Sequence, residues 1–416
     1  MQISRPHVLL FASLVFCSSI ALAEETHSPG ETIEPVSDLT LRDAVASALA
    51  RDSRLPLTQV FQAQGKAYRD TSSRPFSGPG AVQLRHQTDF VLAGRGVREW
   101  EANVEVPLWH LKQRDAAATV ATSFDQYSEF YEAQIKLEVA GSVRQSLWNL
   151  ALAEQRSKLA RQALDDAKEL EREVATRVRA GDLSQNDLLL ARDESLTKEY
   201  ELVAARVEYV HAGERYEALT GLSQRPERIT EKLSDHISLG DGHPLLREMD
   251  ARIARARAQG DLLRRSRGEP FAISVGVRND KASSAETSST SVGVGLRVPF
   301  GTATFQQPQL ASAEAAIAEL MSERVRLERQ LSLDHHESEH EIETAHLQSE
   351  ISTEQNKVVQ ESLQKMRAAF KAGELDLNQL IRAQARAQTA ERQLQLRRLE
   401  EQQAIAKFNQ ALGELP

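Results

Sequence analysis

The chain spells one phrase twice. AGDLSQNDLLLA runs from Ala180 to Ala191 and AGELDLNQLIRA from Ala372 to Ala383, with Gly181 and Gly373 192 residues apart. The same offset aligns Val106-Pro107-Leu108 with Val298-Pro299-Phe300, and the YEALTG ending at Gly221 with the FNQALG ending at Gly413. Three anchors in one register make an internal duplication. Each copy runs from short alternating segments, through Val-Pro, along a helical stretch to a glycine, and back along a second helix.

The spacings give the copies their shape. Val106 to Gly181 is 75 residues, and so is Val298 to Gly373. A helical path of that length spans roughly 110 Å, far more than a globular helix. Ala313, Ile317, Leu320, Arg324, Leu327 and Leu331 step by four and three. Their apolar members form a heptad stripe, with Arg324 as an interruption. Ala160, Leu164, Ala167, Leu170, Val174 and Val178 do the same in the first copy. Charged residues make up 27% and aromatics only 5%, which suits long paired helices better than a compact core.

The duplicated phrase reads as the tip of a helical hairpin. Gly181 suits the left-handed position that ends a helix, and Ser184 with Asp187 three residues on forms a capping box. Gly373, Asp376 and Gln379 take the same roles in the second copy.

At the other end of each copy the period becomes two. Trp100, Ala102, Val104 and Val106 alternate with Glu99, Glu101, Asn103 and Glu105. Phe271, Ile273, Val275 and Val277, and then Val292, Val294, Leu296 and Val298, alternate with small or polar residues. Ala81 to Asp89 is a weaker fourth segment. Strands of about nine residues with one apolar face match outer-membrane barrels. Gly94-Arg95-Gly96 and the Ser/Thr-rich run from Lys281 to Thr290 read as loops. A water-soluble sheet with one buried face is the alternative. Against it, the helices are too long to fold back over the strands, and an isolated four-stranded sheet leaves its edges open. A membrane barrel needs at least about eight strands, so protomers must pool theirs.

Residues 1–23 read as a secretory leader: Arg5, an apolar stretch from Val8 to Leu22, and Ala21-Leu22-Ala23 as the cleavage site. The mature chain is expected to begin at Glu24, with a flexible segment over 24–37. Lipidation of Cys17 is an alternative, but Phe16 stands where a small residue is wanted. Cys17 is the only cysteine, so the mature chain holds no disulfide and no thiolate metal site. The net charge of −9 argues against nucleic acid as a partner. No run of 18 apolar residues follows the leader, so any crossing must use strands. The first repeat is expected over 38–221, with strands about 81–107 and a tip near 181; the second over 222–416, with strands about 271–299 and a tip near 373.

With these features in order, the sequence resembles the TolC-like outer-membrane efflux family. The resemblance rests on LTLRDAVASALARD (Leu39 to Asp52), both AG-(D/E)-L phrases, both Val-Pro corners and both aromatic-to-Gly helix ends, over about residues 38 to 413. It implies a mainly α fold with a small β part. Duplicated long hairpins form a helical tunnel, and four strands per chain join a shared trimeric twelve-stranded barrel. It also implies a homotrimer in outer-membrane lipid, its tunnel in the periplasm, working with a periplasmic adaptor and an inner-membrane RND pump. Where the family often has Asn-Pro, this chain has Asp52-Ser53-Arg54-Leu55-Pro56 and Gly242-His243-Pro244. The segment from Arg265 to Pro270 and the Val-Pro-Phe-Gly from Val298 to Gly301 are most similar to the heavy-metal (CzcC-like and CusC-like) branch.

Several residues carry candidate chemistry. His336-Glu337-Ser338-Glu339-His340 matches the zinc-protease pattern H-E-x-x-H, but its helical, polar flanks supply no third ligand or dry pocket. The same stretch suggests a weak cation-attracting patch of His335, His336, His340 and His346, set against a plain solvated helix face. Asp187, six residues past the tip glycine, lies where the family has an acidic residue near its closed periplasmic mouth; Glu374 and Asp376 are candidates beside it. Gly181, Leu183, Leu188, Gly373, Leu375 and Leu377 are candidates for docking the adaptor, or for packing within the hairpin. Trp100, Trp109, Phe271, Phe300 and Phe305 form an interfacial girdle or plug the join between strands and helices. No phosphate loop or nucleophile–base pair occurs and no cofactor is expected. The chain reads as a passive, non-enzymatic conduit for heavy-metal cations. Alternatives are the same duct carrying drugs or other organic compounds, and a pore-free periplasmic coiled-coil scaffold.

Overall fold

The structure is a computed structural model in which residues 33–91, 94–235, 240 and 242–416 are described. The expected leader lies outside these residues. In chain order the elements are β1 (Glu34–Val36), α1 (Leu41–Arg51), α2 (Pro56–Ser73), β2 (Ala81–Thr88), β3 (Arg98–Pro107), α3 (Gln113–Ala180), α4 (Gln185–Thr220), β4 (Gln224–Pro226), α5 (Pro244–Ser266), β5 (Ala272–Lys281), β6 (Ser289–Arg297), α6 (Thr302–Ala372) and α7 (Leu377–Ala411).

The duplication is plain in the helix boundaries. α3 and α6 end, and α4 and α7 begin, at positions 192 residues apart. α3 has 68 residues and α6 has 71, which makes each about 100 Å long. Two features depart from the repeat. Among the described residues α1 has no helical counterpart, and α2 and α5 start at Pro56 and Pro244, an offset of 188.

Both tips are built as their caps dictate. Gly181 and Gly373 hold φ of 86° and 79°, and their amides reach back to the last carbonyls of α3 and α6. That left-handed conformation suits glycine. Ser184 and Asp187 form the complete reciprocal box, whereas Asp376 accepts from the Gln379 amide alone.

α3 is the spine of the protomer. It packs against α4 toward the tip, against α2 and α5 toward the strands, and against α7. Midway, Ile135, Val139, Val143 and Leu147 meet Ile33, Val45 and Ala48 from the chain start and Tyr216 from the end of α4. β1 pairs in parallel with β4 beside this cluster, Glu34 opposite Gln224. Residues 34–36, expected in a flexible segment, are therefore a strand, because β4 supplies its hydrogen-bond partners. Arg144, also buried here, is held by both carboxylate oxygens of Glu231, by Gln410 and by the Glu414 carbonyl. A buried guanidinium needs all of these acceptors.

β2, β3, β5 and β6 form one antiparallel sheet in that order. Pro107 pairs with Ala272, so the Val-Pro corner lies at the sheet's helix end, and the loops lie at the other. Among the described residues no helix is long and apolar enough to cross a membrane.

Candidate functional site

The register sorts the sheet into two faces. Val82, Leu84 and His86 pair with Val104, Ala102 and Trp100. Those last three pair with Val275, Val277 and Asn279, which pair in turn with Val294, Val292 and Thr290. Directly paired residues share a face, so the apolar sets of all four strands merge into one surface. That surface is bare in the protomer: Leu84 is 78% exposed and Val294 77%. The opposite face carries Gln83, Arg85, Glu99, Glu101, Asn103, Glu105, Arg278 and Arg297. Arg278 pairs there with Glu99, and Arg297 with Glu105 and Glu269. Glycines at 276, 293 and 295 leave room on this face; a Cβ on Gly276 would collide with the Asn103 side chain. Among the described residues β2 and β6 each have one free edge, so the sheet ends in two unpaired strands.

The aromatic candidates divide by position. Trp100 stacks on His86 near the loop end, with ring centroids 4.1 Å apart. Phe300 and Phe305, past the helix end, are 94% and 83% exposed. From Thr290, level with Trp100, β6 runs seven residues to Arg297, about 18 Å of height for a strand tilted about 40°, with Phe300 three residues beyond it. Trp109 and Phe271 seal the join instead. The Trp109 indole donates to the Arg74 carbonyl at 3.1 Å, and Phe271 packs on His110.

Two helix edges match the two strand edges. Leu189, Leu196, Tyr200, Val203 and Val207 form an exposed stripe on α4, spaced by sevens, fours and threes. Met321, Val325, Leu333, Leu347, Ile351 and Val358 are exposed on α6. α6 packs chiefly on α5 and α7 and α4 chiefly on α3, which leaves these sides bare. The sequence reading missed the α4 stripe, although its heptad spacing was there to be counted. On α6, the stripe named from sequence is half-buried from Ala313 to Leu327, with Ala313 and Ile317 facing Gly260 of α5, and buried at Leu331. Arg324, its interruption, pairs with Asp250 and Glu328.

The two hairpin tips are packed together. Leu170, Val174 and Ala191 share one cluster with Leu363, Phe370, Leu377 and Leu380. Arg177 lies over the Phe370 ring at 4.8 Å and donates to the Phe370 carbonyl. Leu377 is buried inside this cluster, while Leu183, Leu188 and Leu375 are half-buried at its rim. Gly181, Gly373, Glu374 and Asp376 are exposed at the tips, and Asp187 is half-buried with its carboxylate bonded to the Ser184 amide and hydroxyl.

The four histidines on α6 do not converge. His335 turns inward against Phe408. His336 and His340 lie edge to face at 4.6 Å on an exposed surface. His346 pairs with Glu401 across α7 at 2.8 Å, and that hydrogen bond raises its pKa. Among the described residues no group of three or more His, Cys, Asp or Glu side chains is placed to hold a metal ion. H-E-x-x-H thus lies on an open coiled-coil face without a third ligand.

No protein-family model and no curated protein sequence matches the chain. Solved structures do. The outer membrane protein VceC from Vibrio cholerae superposes with a TM-score of 0.73 at 14% identity, over 90% of this chain and 96% of that one. A membrane protein from Pseudomonas aeruginosa gives 0.72 at 17% identity, over 100% and 97%. CusC, described for its transmembrane channel formation, gives 0.68 at 16% identity, over 92% and 93%, so it is no closer than the others. Over nearly its whole length the chain has the fold of the TolC-like outer-membrane channels that its sequence resembles.

Proposed function

We propose that the chain is the outer-membrane channel of a tripartite efflux system, a passive conduit assembled as a homotrimer. One observation carries this reading: the bare apolar sheet face and the two open edges belong to the same protomer. Three protomers joined β2 to β6 make twelve strands and leave no edge, with the apolar face turned to lipid and the charged face to the lumen. The exposed stripes of α4 and α6 would meet across the same junctions and extend the barrel into a helical duct. The protein has no energy-coupling motif, so a pump and an adaptor must drive transport. The half-buried leucines 183, 188 and 375 at the tips offer the adaptor an apolar rim.

For the cargo we favour heavy-metal cations. Asp187, Glu374 and Asp376, repeated three times around an axis, would make the periplasmic mouth favour cations. The dispersed α6 histidines fit transient contact better than a fixed site. Deleting the protein and measuring tolerance to zinc, cobalt, copper and organic toxicants in parallel tests the cargo; sensitivity to organic compounds alone would turn it to the drug reading. Fractionation tests the pore. A protein released from outer membrane by salt would be the scaffold instead. A single-channel record of Asp187→Asn with unaltered cation selectivity would remove Asp187 from the gate and leave it a cap.

A further inference from the structure

Where the sheet joins the helices, the pairing of β3 with β5 continues beyond the strands. The Leu108 amide donates to the Phe271 carbonyl at 2.7 Å, and the His110 ring meets the Glu269 carbonyl at 3.2 Å. The same run ends at Lys112, the last residue before α3, and Arg267, the first after α5. Their φ angles are 61° and 49°, and they are the only non-glycine residues with positive φ among the described residues. Glycine takes this conformation freely; lysine and arginine do not. Two cations are thus held where the backbone would prefer another residue, the kind of local strain that marks a functional position.

Both side chains are exposed, and neither has a hydrogen-bond or ion-pair partner among the described residues. Arg74 is a third exposed cation, brought alongside by the Trp109 bond to its carbonyl. Asp115 and Asp70 are nearby exposed carboxylates with no ion pair among the described residues; Asp261 is taken by Arg264 and Arg265, and Glu269 by Arg297. Apolar groups stand beside the cations. Leu111 is 88% exposed, and Gly268 abuts Thr302, which brings Phe300 and Phe305 near. Long cationic side chains next to bare apolar ones, at the helix end of a lipid-facing sheet, have the chemistry of a membrane interface.

We propose that Lys112 and Arg267, with Arg74, form a collar that binds the phosphates of anionic phospholipids in the leaflet nearest the helices. The proposal rests on the barrel reading above. Its test uses the purified full-length channel, with native mass spectrometry after addition of phosphatidylglycerol or phosphatidylcholine, and planar-bilayer recording of the same preparations. Lys112→Gly/Arg267→Gly removes both charges and suits the left-handed backbone. Its phosphatidylglycerol affinity should fall roughly ten- to thirty-fold, as expected for two cations near an anionic surface, with phosphatidylcholine binding unmoved. Lys112→Arg/Arg267→Lys should retain the wild-type preference. A conducting wild type that prefers neither lipid, or a glycine variant that keeps the preference, overturns the collar and leaves the channel standing. A wild type that neither inserts nor conducts overturns both.

Discussion

Arg297 and Glu105 occupy the same place in the two repeats, 192 residues apart, and they bind each other: Arg297 donates to a Glu105 carboxylate oxygen at 2.7 Å. The pair reaches across β5 on the charged face of the sheet, near its helix end. Half-exposed ion pairs contribute little to stability, about 0–1 kcal/mol. Their effect on a conduit is electrical instead. In the proposed trimer three such pairs would line the root of the barrel. Glu105→Gln leaves Arg297 with Glu269 alone, so the variant should assemble normally and shift its reversal potential toward anions under a salt gradient. An unmoved reversal potential would place this face away from the ion path.

The bare sheet face makes a sharper demand. Val277 lies in the middle of the apolar surface, paired with Ala102 on one side and Val292 on the other. Val277→Arg should cost about 2–4 kcal/mol at mid-membrane depth, and outer-membrane recovery of the protein should collapse. Asn103→Asp, on the opposite face, should insert at wild-type levels. Equal recovery of the two variants in membrane fractions would mean that this surface never meets lipid.

Periodicity made the long helices and strands legible. Once Gly181 and Gly373 fixed the register, the tips, caps and Val-Pro corners followed, since each depends on residues close in sequence. The middle of the protomer was not legible. β1 is three residues long, and nothing in Glu34-Pro35-Val36 points to Gln224. Arg144 reads as one arginine of many until the fold brings Glu231, Gln410 and Glu414 to it from far along the chain. His335 and His336 look alike in sequence, yet a difference of about 100° around the helix buries one against Phe408 and exposes the other. The α4 stripe is readable from its spacing, since Leu189, Leu196, Tyr200, Val203 and Val207 follow the heptad.

In the proposed trimer that stripe is a subunit contact. Leu196, Tyr200 and Val203 are all more than half exposed and fall on one side of α4, away from α3. Burying the remaining exposed half of Leu196 and Val203 against a neighbour stabilises by roughly 1 kcal/mol each. Leu196→Asp with Val203→Asp should therefore separate the trimer into protomers that keep their helical circular dichroism. Mass photometry in detergent reads the change directly; trimers that persist would move the contact to another helix.

His243 couples the fold to acid. It caps α5, with its Nδ1 accepting from the Leu245 amide at 3.3 Å, and its ring is pressed against Gly413 at the end of α7. Only 3% of it is exposed, and burial pushes its pKa below the ordinary 6.5. A pKa lower in the folded than in the unfolded chain means that the fold favours the neutral ring. Its stability contribution is then complete above about 6.5 and is lost as pH falls through the lower folded value. His346, raised by Glu401, runs the opposite way, but it is common to wild type and variant and cancels in their difference. His243→Asn keeps a capping acceptor and cannot titrate. Between pH 7.5 and pH 5 the wild-type Tm should fall further than that of the variant. Parallel losses would assign the acid sensitivity to another group.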